Sequence, residues 1–399
     1  MSGAKTGAVV YGAAAGAGGL GLQAATALAA LAPGARTLHA AGPGRVPGWP
    51  LDPAPPSLVW HAAPRTVPRW RARYTTLRWR HGALQERHDM ALGRWAAGVL
   101  EREKPGAVYA FTQVGLESLR WARAAGVPGV LDSPNGHIAA FRAAYLGEAR
   151  RWCGGAYHGH PTPAMVRRVE EEYALAGRIR VSSPAARESL LAAGVDGAKV
   201  AVIPQPLDLW RFVPPAARAR TGPLRVCFVG TLDLRKGFVY LLRAARALGG
   251  RVEVEMVGST GDRCSRRLFE RESRGLALRC APGDPLPAYH RAEVMVLPSL
   301  EDGFGFVAAE AMACGLPVVV TREAGASAWV RHGETGWVVP AGSADALAAA
   351  LADALARRAG LAEMGVLARR EVEARGGPAA FDALRDWFWG DGAGRREGS

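Results

Sequence analysis

Lysine is nearly missing from this 399-residue chain: of 50 Lys and Arg residues together, only Lys5, Lys104, Lys199 and Lys236 are lysine. With so much Ala and Gly, that bias reads as the output of a GC-rich bacterial genome. Part of the net charge of +14 is then compositional rather than the mark of an anionic partner. Cysteine is scarce too. The five (Cys153, Cys227, Cys264, Cys280, Cys314) are scattered and contain no C-x-x-C. A disulfide scaffold is therefore not expected, and a reduced cytoplasmic protein is the simplest reading. Cys153, His158 and His160 lie close together, but no fourth ligand stands at a recognised spacing, so no zinc site is expected there. Asp-x-Asp occurs nowhere, and no apolar run reaches the about 20 residues that a membrane span needs. The Ala-rich start is broken by glycines and reads as strand, loop and helix rather than as a leader. Acidic residues are absent before Asp52. Gly16-x-Gly18-x-x-Gly21 after a first strand therefore lacks the ribose-holding acid that a nicotinamide dinucleotide site requires about 20 residues on.

What is present centres on Val294–Thr321, VMVLPSLEDGFGFVAAEAMACGLPVVVT. Its apolar periodicity predicts a buried strand over Val294–Leu297, a helix over Phe306–Ala313 stopped by Gly315 and Pro317, and a strand over Val318–Val320. Such a βαβ unit belongs in a parallel sheet. Gly303 and Gly305 open the helix, where unpaired backbone N–H groups favour an anion such as a diphosphate. Yet Glu301, Asp302 and Glu310 flank the same spot. A carboxylate there is useful as an acceptor for neutral hydroxyls, or as a ligand to a bridging metal. An anion site between hydroxyl acceptors suits a nucleotide-sugar.

Asp302-x7-Glu310 within LPSLEDGFGFVAAEAMACGLPVV resembles the E-x7-E region of retaining GT-B glycosyltransferases of family 4, the group 1 glycosyl transferases. The resemblance implies that the first acid meets the donor sugar, Glu310 the ribose, and the intervening amides the diphosphate. It leaves open whether Asp302 or Glu301 is that first acid. Gly230-Thr231-Leu232-Asp233-Leu234-Arg235-Lys236-Gly237 resembles the family's G-x-L-x-x-(R)KG phosphate loop. Arg235 and the retained Lys236 supply the charge, and Thr231 stands where many relatives carry Arg. Family members often place a histidine beside the donor sugar in the loop occupied here by Asp132-Ser133-Pro134-Asn135-Gly136-His137, which implicates His137. By the same resemblance Gly16, Gly18 and Gly19 face the cleft, and Gly258, Cys280 and Ala281 lie near the base. Gly230, Thr231, Glu301, Gly303, Phe304, Gly305, Phe306 and Val307 complete the donor loops. Ala328 replaces a Glu common in relatives.

The expected fold is thus α/β, GT-B, with two Rossmann-like parallel-sheet domains facing across a cleft. An acceptor-side domain is expected over 1–205 and a nucleotide-sugar domain over 206–377, joined by a stiff Pro204-Gln205-Pro206 hinge. A helix over 378–390 should cross back, and 391–399 form a polar, disordered tail. The expected catalytic group is His137, Arg235, Lys236, Asp302 and Glu310, without metal or cofactor, in a retaining transfer to an acceptor hydroxyl. The alternatives are a nucleotide-sugar epimerase or phosphorylase on the same fold, or a non-catalytic nucleotide-sugar binder. Arg65, Arg69, Arg71, Arg73, Arg78, Arg80, Arg87 and Arg94 alternate with Trp70, Tyr74, Trp79 and Trp95. That pattern fits equally an anionic or membrane-associated acceptor at the inner membrane face and a solvated helix face with its aromatics turned inward. Nucleic acid is not an expected partner.

Overall fold

In a computed structural model of the chain, residues 5–13, 18–43, 45, 55–64, 81–154, 161–218 and 221–390 are described. The first domain runs β1 (Thr6–Val10), α1 (Gly18–Leu31), β2 (Thr37–Gly42), β3 (Leu58–Ala62), α2 (His81–Glu103), β4 (Val108–Phe111) and α3 (Leu116–Ala125). It continues with β5 (Gly129–Ser133), α4 (Ile138–Cys153), α5 (Pro163–Leu175), β6 (Arg178–Val181), α6 (Pro184–Ala192) and β7 (Val200–Val202). The second runs β8 (Leu224–Val229), α7 (Phe238–Leu248), β9 (Val252–Val257), α8 (Arg263–Glu272), β10 (Leu278–Ala281), α9 (Leu286–Arg291) and β11 (Val294–Leu297). Then follow α10 (Phe306–Ala313), β12 (Val318–Thr321), β13 (Gly336–Val339), α11 (Ala344–Ala356), α12 (Leu361–Gly376) and α13 (Pro378–Trp389).

Each domain holds one all-parallel sheet. The strand orders are β3-β2-β1-β4-β5-β6-β7 and β10-β9-β8-β11-β12-β13. Apolar runs such as Val294–Leu297 and Val318–Thr321 are buried along their whole length because helices cover both faces. Both orders reverse beside the first strand of the domain, so each sheet opens a crevice at the carboxyl ends of that strand and its out-of-sequence neighbour. For the second domain this crevice lies between the loops after β8 and β11. No helix among the described residues is long and apolar enough to cross a membrane.

A buried polar knot secures the linker. Arg180 on β6 donates to Asp132 on β5 at 2.8 Å, to Gln205 Oε1 at 2.8 Å and to the Ile203 and Pro204 carbonyls at 3.1 and 3.2 Å. Tyr109 also donates to Asp132. Asp132, which the sequence placed among site-loop residues, is thereby fully buried and committed to the linker. Downstream, α13 packs against α1, where Trp389 Nε1 donates to the Leu31 carbonyl at 3.0 Å.

Two sequence expectations need correction. Strand β3 lies inside the Arg- and Pro-rich stretch that gave no strand pattern; only Leu58 of its five residues is buried, as befits an edge. The five cysteines are not all unpaired either. Cys153, at the end of α4, forms a disulfide with Cys264 on α8, with Cα atoms 6.0 Å apart and a sequence separation of 111. Spacing along the chain could not show this pair, because the interface that creates it joins the two domains. The supposed partners His158 and His160, the arginines and aromatics of 65–80 and the tail 391–399 lie outside the described residues. Under non-reducing conditions Cys153→Ser should lower the unfolding free energy by about 5 kcal/mol, the chain-entropy scale for a loop this long. Denaturant titration of wild type and variant, with and without dithiothreitol, checks this: the difference should vanish in reductant.

Candidate active site

The loop after β8 is shaped by glycines. Gly230 and Gly237 adopt φ of +140° and +66°, and a side chain at Gly237 would overlap the Pro298 carbonyl of the loop after β11. Gly237 thus lets the two crevice loops touch while it starts α7. Between these glycines, Lys236 N donates to Asp233 Oδ1 at 2.9 Å, folding the loop back so that both cations face the β11 loop. Lys236 Nζ bonds Asp302 Oδ2. Arg235 Nη1 donates to the Glu301 carbonyl at 2.9 Å and lies 3.6 Å from Glu301 Oε2 and 4.0 Å from Asp302 Oδ1.

Two cations and two carboxylates therefore neutralise one another at the mouth of the crevice. Burial alone would raise the Asp302 carboxyl, but Lys236 and Arg235 outweigh it and hold the group below the usual carboxylate range. Glu301 goes the other way: burial raises it, and Arg235 offsets only part of that. Its Oε2 has no hydrogen-bond partner among the described residues. Asp302 also accepts from Ser299 Oγ at 3.4 Å.

The first domain closes over these acids. Gly136 N donates to Glu301 Oε1 at 3.1 Å, and Ser183 Oγ donates to the Gly303 carbonyl at 2.7 Å. A side chain at Gly303 would overlap the Pro134 carbonyl, so this glycine is required for domain contact. Phe141 on α4 lies under Arg235, with the guanidinium 5.4 Å from the ring centroid. Gly136, Ser183 and Phe141 were not singled out from sequence. Ser183-Pro184 signals a helix start and nothing more, while the other two gain meaning only through contacts across the cleft.

His137 stands next to this contact, and the structure gives it a structural task. Its backbone N–H donates to Ser189 Oγ at 2.9 Å, and its Nδ1 accepts the Ala139 N–H at 3.3 Å as the cap of α4. Burial lowers its imidazole pKa, so the ring stays neutral. Glu310, in the second turn of α10, accepts from Tyr289 at 2.9 Å, and burial lifts its carboxyl to about 7. Tyr289 lies on α9 and carried no sequence signal.

Phe304 and Phe306 are buried with Trp329, ring centroids 5.3 and 4.8 Å from Phe304, so their side chains belong to the core and only their backbone can meet a donor. Val307 is half-buried beside them, and Gly305 (φ +85°) starts α10. Thr231, Cys280, Ala281 and Ala328 are exposed. Gly258 packs against the Gly230 carbonyl, where no side chain would fit. Gly18 and Gly19 fall in the first turn of α1, whereas Gly16 lies outside the described residues. Opposite the donor loops, a hollow opens at the β1/β4 crevice of the first domain, lined by Tyr11, Gln85, Asp89, Thr112, Gln113 and Asn135 among others.

A parallel sheet on each side, a crevice between them and a helix returning from the end of the chain to the first domain decide the architecture. The fold is GT-B. Sucrose-phosphate synthase from Thermosynechococcus elongatus superposes with a TM-score of 0.70 over 95% of this chain and 96% of that one, at 22% identity. Residues 223–357 match the family described as glycosyl transferases group 1. The match lies within the second domain. A GDP-mannose-dependent alpha-(1-6)-phosphatidylinositol monomannoside mannosyltransferase from Mycolicibacterium smegmatis is 33% identical over 211 residues, covering 47% of this chain and 52% of the relative. A D-inositol 3-phosphate glycosyltransferase from Rhodococcus jostii is 32% identical over 238 residues, covering 53% and 52%. The matched stretch thus spans about half the length of these relatives.

The geometry makes Lys236 the group with most to offer a diphosphate, since it is a strong donor held at the crevice mouth. Lys236→Ala should weaken nucleoside diphosphate binding by about 1.5–3 kcal/mol, the scale for hydrogen bonds to charged groups. Calorimetry on the folded variant checks this; unchanged affinity would remove Lys236 from the site.

Proposed function

We propose that the protein is a retaining glycosyltransferase that moves a sugar from a nucleotide-sugar to an acceptor hydroxyl without a bound metal. The observation that carries this reading is the pairing of Arg235 and Lys236 with Glu301 and Asp302 at the crevice of the second sheet. A free anion can satisfy the two cations only by leaving two half-buried carboxylates unpaired, which is costly. A nucleotide-sugar avoids that cost. Its diphosphate takes the cations, while its sugar hydroxyls donate to the released carboxylates.

Each group then has one task. Arg235 and Lys236 neutralise the charge that grows on the departing diphosphate, together with the amide end of α10. Their two positive charges replace the metal that an Asp-x-Asp motif, absent here, would otherwise hold. Asp302 holds the sugar; Glu301, tied to Gly136 of the other domain, couples donor binding to closure of the cleft. Glu310 accepts from the ribose hydroxyls, beside Tyr289. Glu301 and Asp302 are engaged by the two cations rather than assigned as nucleophiles, and the leaving phosphate takes the acceptor proton on the same face, which gives retention.

The acceptor enters the hollow of the first domain. Asp89 there is buried and already bonded by Gln85 at 2.8 Å, and no cation lines the hollow among the described residues. Such a surface suits the hydroxyl groups of a polyol. Both relatives are named for phosphate-bearing inositol acceptors, which supports the polyol and adds a negative charge that the described lining of the hollow does not meet.

Paired titrations test the assignment. Glu310→Gln should weaken nucleoside diphosphate and nucleotide-sugar alike, because both carry the ribose. Asp302→Asn releases Lys236, so it should spare or tighten the free diphosphate and weaken only the sugar-bearing donor. Equal losses for both ligands in Asp302→Asn, with Glu301→Gln selective instead, would move the sugar contact to Glu301. No selectivity in either variant would sink the reading. A panel of GDP-mannose, UDP-glucose and ADP-glucose finds the donor, and turnover should then survive excess chelator. Activity lost to chelator and restored by magnesium would refute the metal-free mechanism.

A further inference from the structure

The edge of the first domain's sheet holds a cluster that neither the donor loops nor the acceptor hollow uses. Strands β2 and β3 run parallel with His39 opposite Val59 and Ala41 opposite His61. Side chains two apart share a face, so His39 and His61 stand on one face, a diagonal step from each other. Glu103, the last residue of α2, reaches the same point from above the sheet. His39 Nδ1 lies 3.1 Å from His61 Nε2 and 3.9 Å from Glu103 Oε2. One ligand atom from each of the three residues falls within 4.8 Å of the other two. His39 is buried, His61 half-buried and Glu103 partly open to solvent, which leaves an entry path.

We propose that His39, His61 and Glu103 form a zinc site, with water completing the coordination. Zinc bonds imidazole nitrogen at about 2.0–2.1 Å and carboxylate oxygen at about 2.0–2.2 Å, so tetrahedral ligand atoms lie about 3.3 Å apart. The two imidazoles already meet that separation. Glu103 has to close by about half an ångström toward His39 and by at most about 1.5 Å toward His61, and a side chain on the last, exposed turn of a helix has the freedom to do so. Two imidazoles with one carboxylate and an open position are a set that zinc accepts, whereas magnesium and calcium prefer oxygen alone. The other account of the short contact is a hydrogen bond between two neutral rings, which would need neither Glu103 nor any ion.

The site's position suggests what the metal does. β3 is an edge strand held to the sheet on one side only, and it is followed by the segment that leads into α2. A metal gripping β2, β3 and the end of α2 clamps that edge from three directions. Binding free energy then appears as stability of the edge, because the ligands converge only in the folded chain.

The test uses the full-length protein, stripped with chelator and dialysed. Zinc chloride titrated by calorimetry should bind at one equivalent, cobalt(II) should give a visible band of tetrahedral intensity, and zinc should raise the melting temperature. His61→Ala and Glu103→Gln, both at partly exposed positions, should each weaken binding at least about tenfold and remove most of the thermal shift. Melting curves without metal confirm that the variants are folded, and should His61→Ala fail to fold, Glu103→Gln carries the same readout. No binding by the wild type, or equal affinity in wild type and folded variants, would overturn the site in favour of the ring-to-ring hydrogen bond.

Discussion

The donor site rests on one electrostatic constraint: Glu301 and Asp302 are taken out of water and have to be matched by Arg235 and Lys236. Unpaired, each carboxylate would cost several kcal/mol. The constraint fixes more than charge. To bring the four groups together, the chain after β8 turns at two left-handed glycines, and Gly237 lies flush against the loop after β11. The sheet order makes those two loops neighbours, because β8 and β11 pair directly despite 64 residues from the end of one to the start of the other. Topology supplies adjacency, glycine supplies contact, and charge selects what can enter.

The same acids carry the link between domains. Glu301 uses one oxygen on Gly136 and presents the other toward Arg235, so a ligand that draws Arg235 away changes what Glu301 contributes to the closed cleft. The Ser183 hydroxyl on the Gly303 carbonyl and the Pro134 backbone against the same glycine make this a close meeting, with no room for a side chain at position 303. The linker is held separately, by Arg180 reaching from β6 to three consecutive residues, Ile203, Pro204 and Gln205.

Much of this was legible in sequence wherever the signal is local. The apolar run stopped by Pro298 located the strand Val294–Leu297, and helical spacing located Phe306–Ala313 to the residue. β3 escaped because an edge strand needs no continuous apolar run, and Val59 and Trp60 sit among arginines and prolines. At the site, the local motif named Arg235, Lys236, Asp302 and Glu310. It could not name Tyr289, Ser183, Gly136 or Phe141, whose partners are 21, 120, 165 and 94 residues away. Nor could it show that Phe304 belongs to the core or that His137 caps a helix, since each depends on what packs around it.

The bond between Cys153 and Cys264 reaches beyond stability. The linker beside Pro204 and the return of the chain from α12 to α13, adjacent to it where Leu207 N donates to the Gly376 carbonyl at 3.0 Å, join the domains at one place, and the disulfide joins them at another, on the side where α4 meets α8. Two bodies tethered at two separated points keep a single easy rotation, about the line through those points. While the disulfide is intact, the first domain can only swing like a door on that line and cannot slide or twist over the donor loops. Reduction removes one pin and restores the sliding and twisting motions.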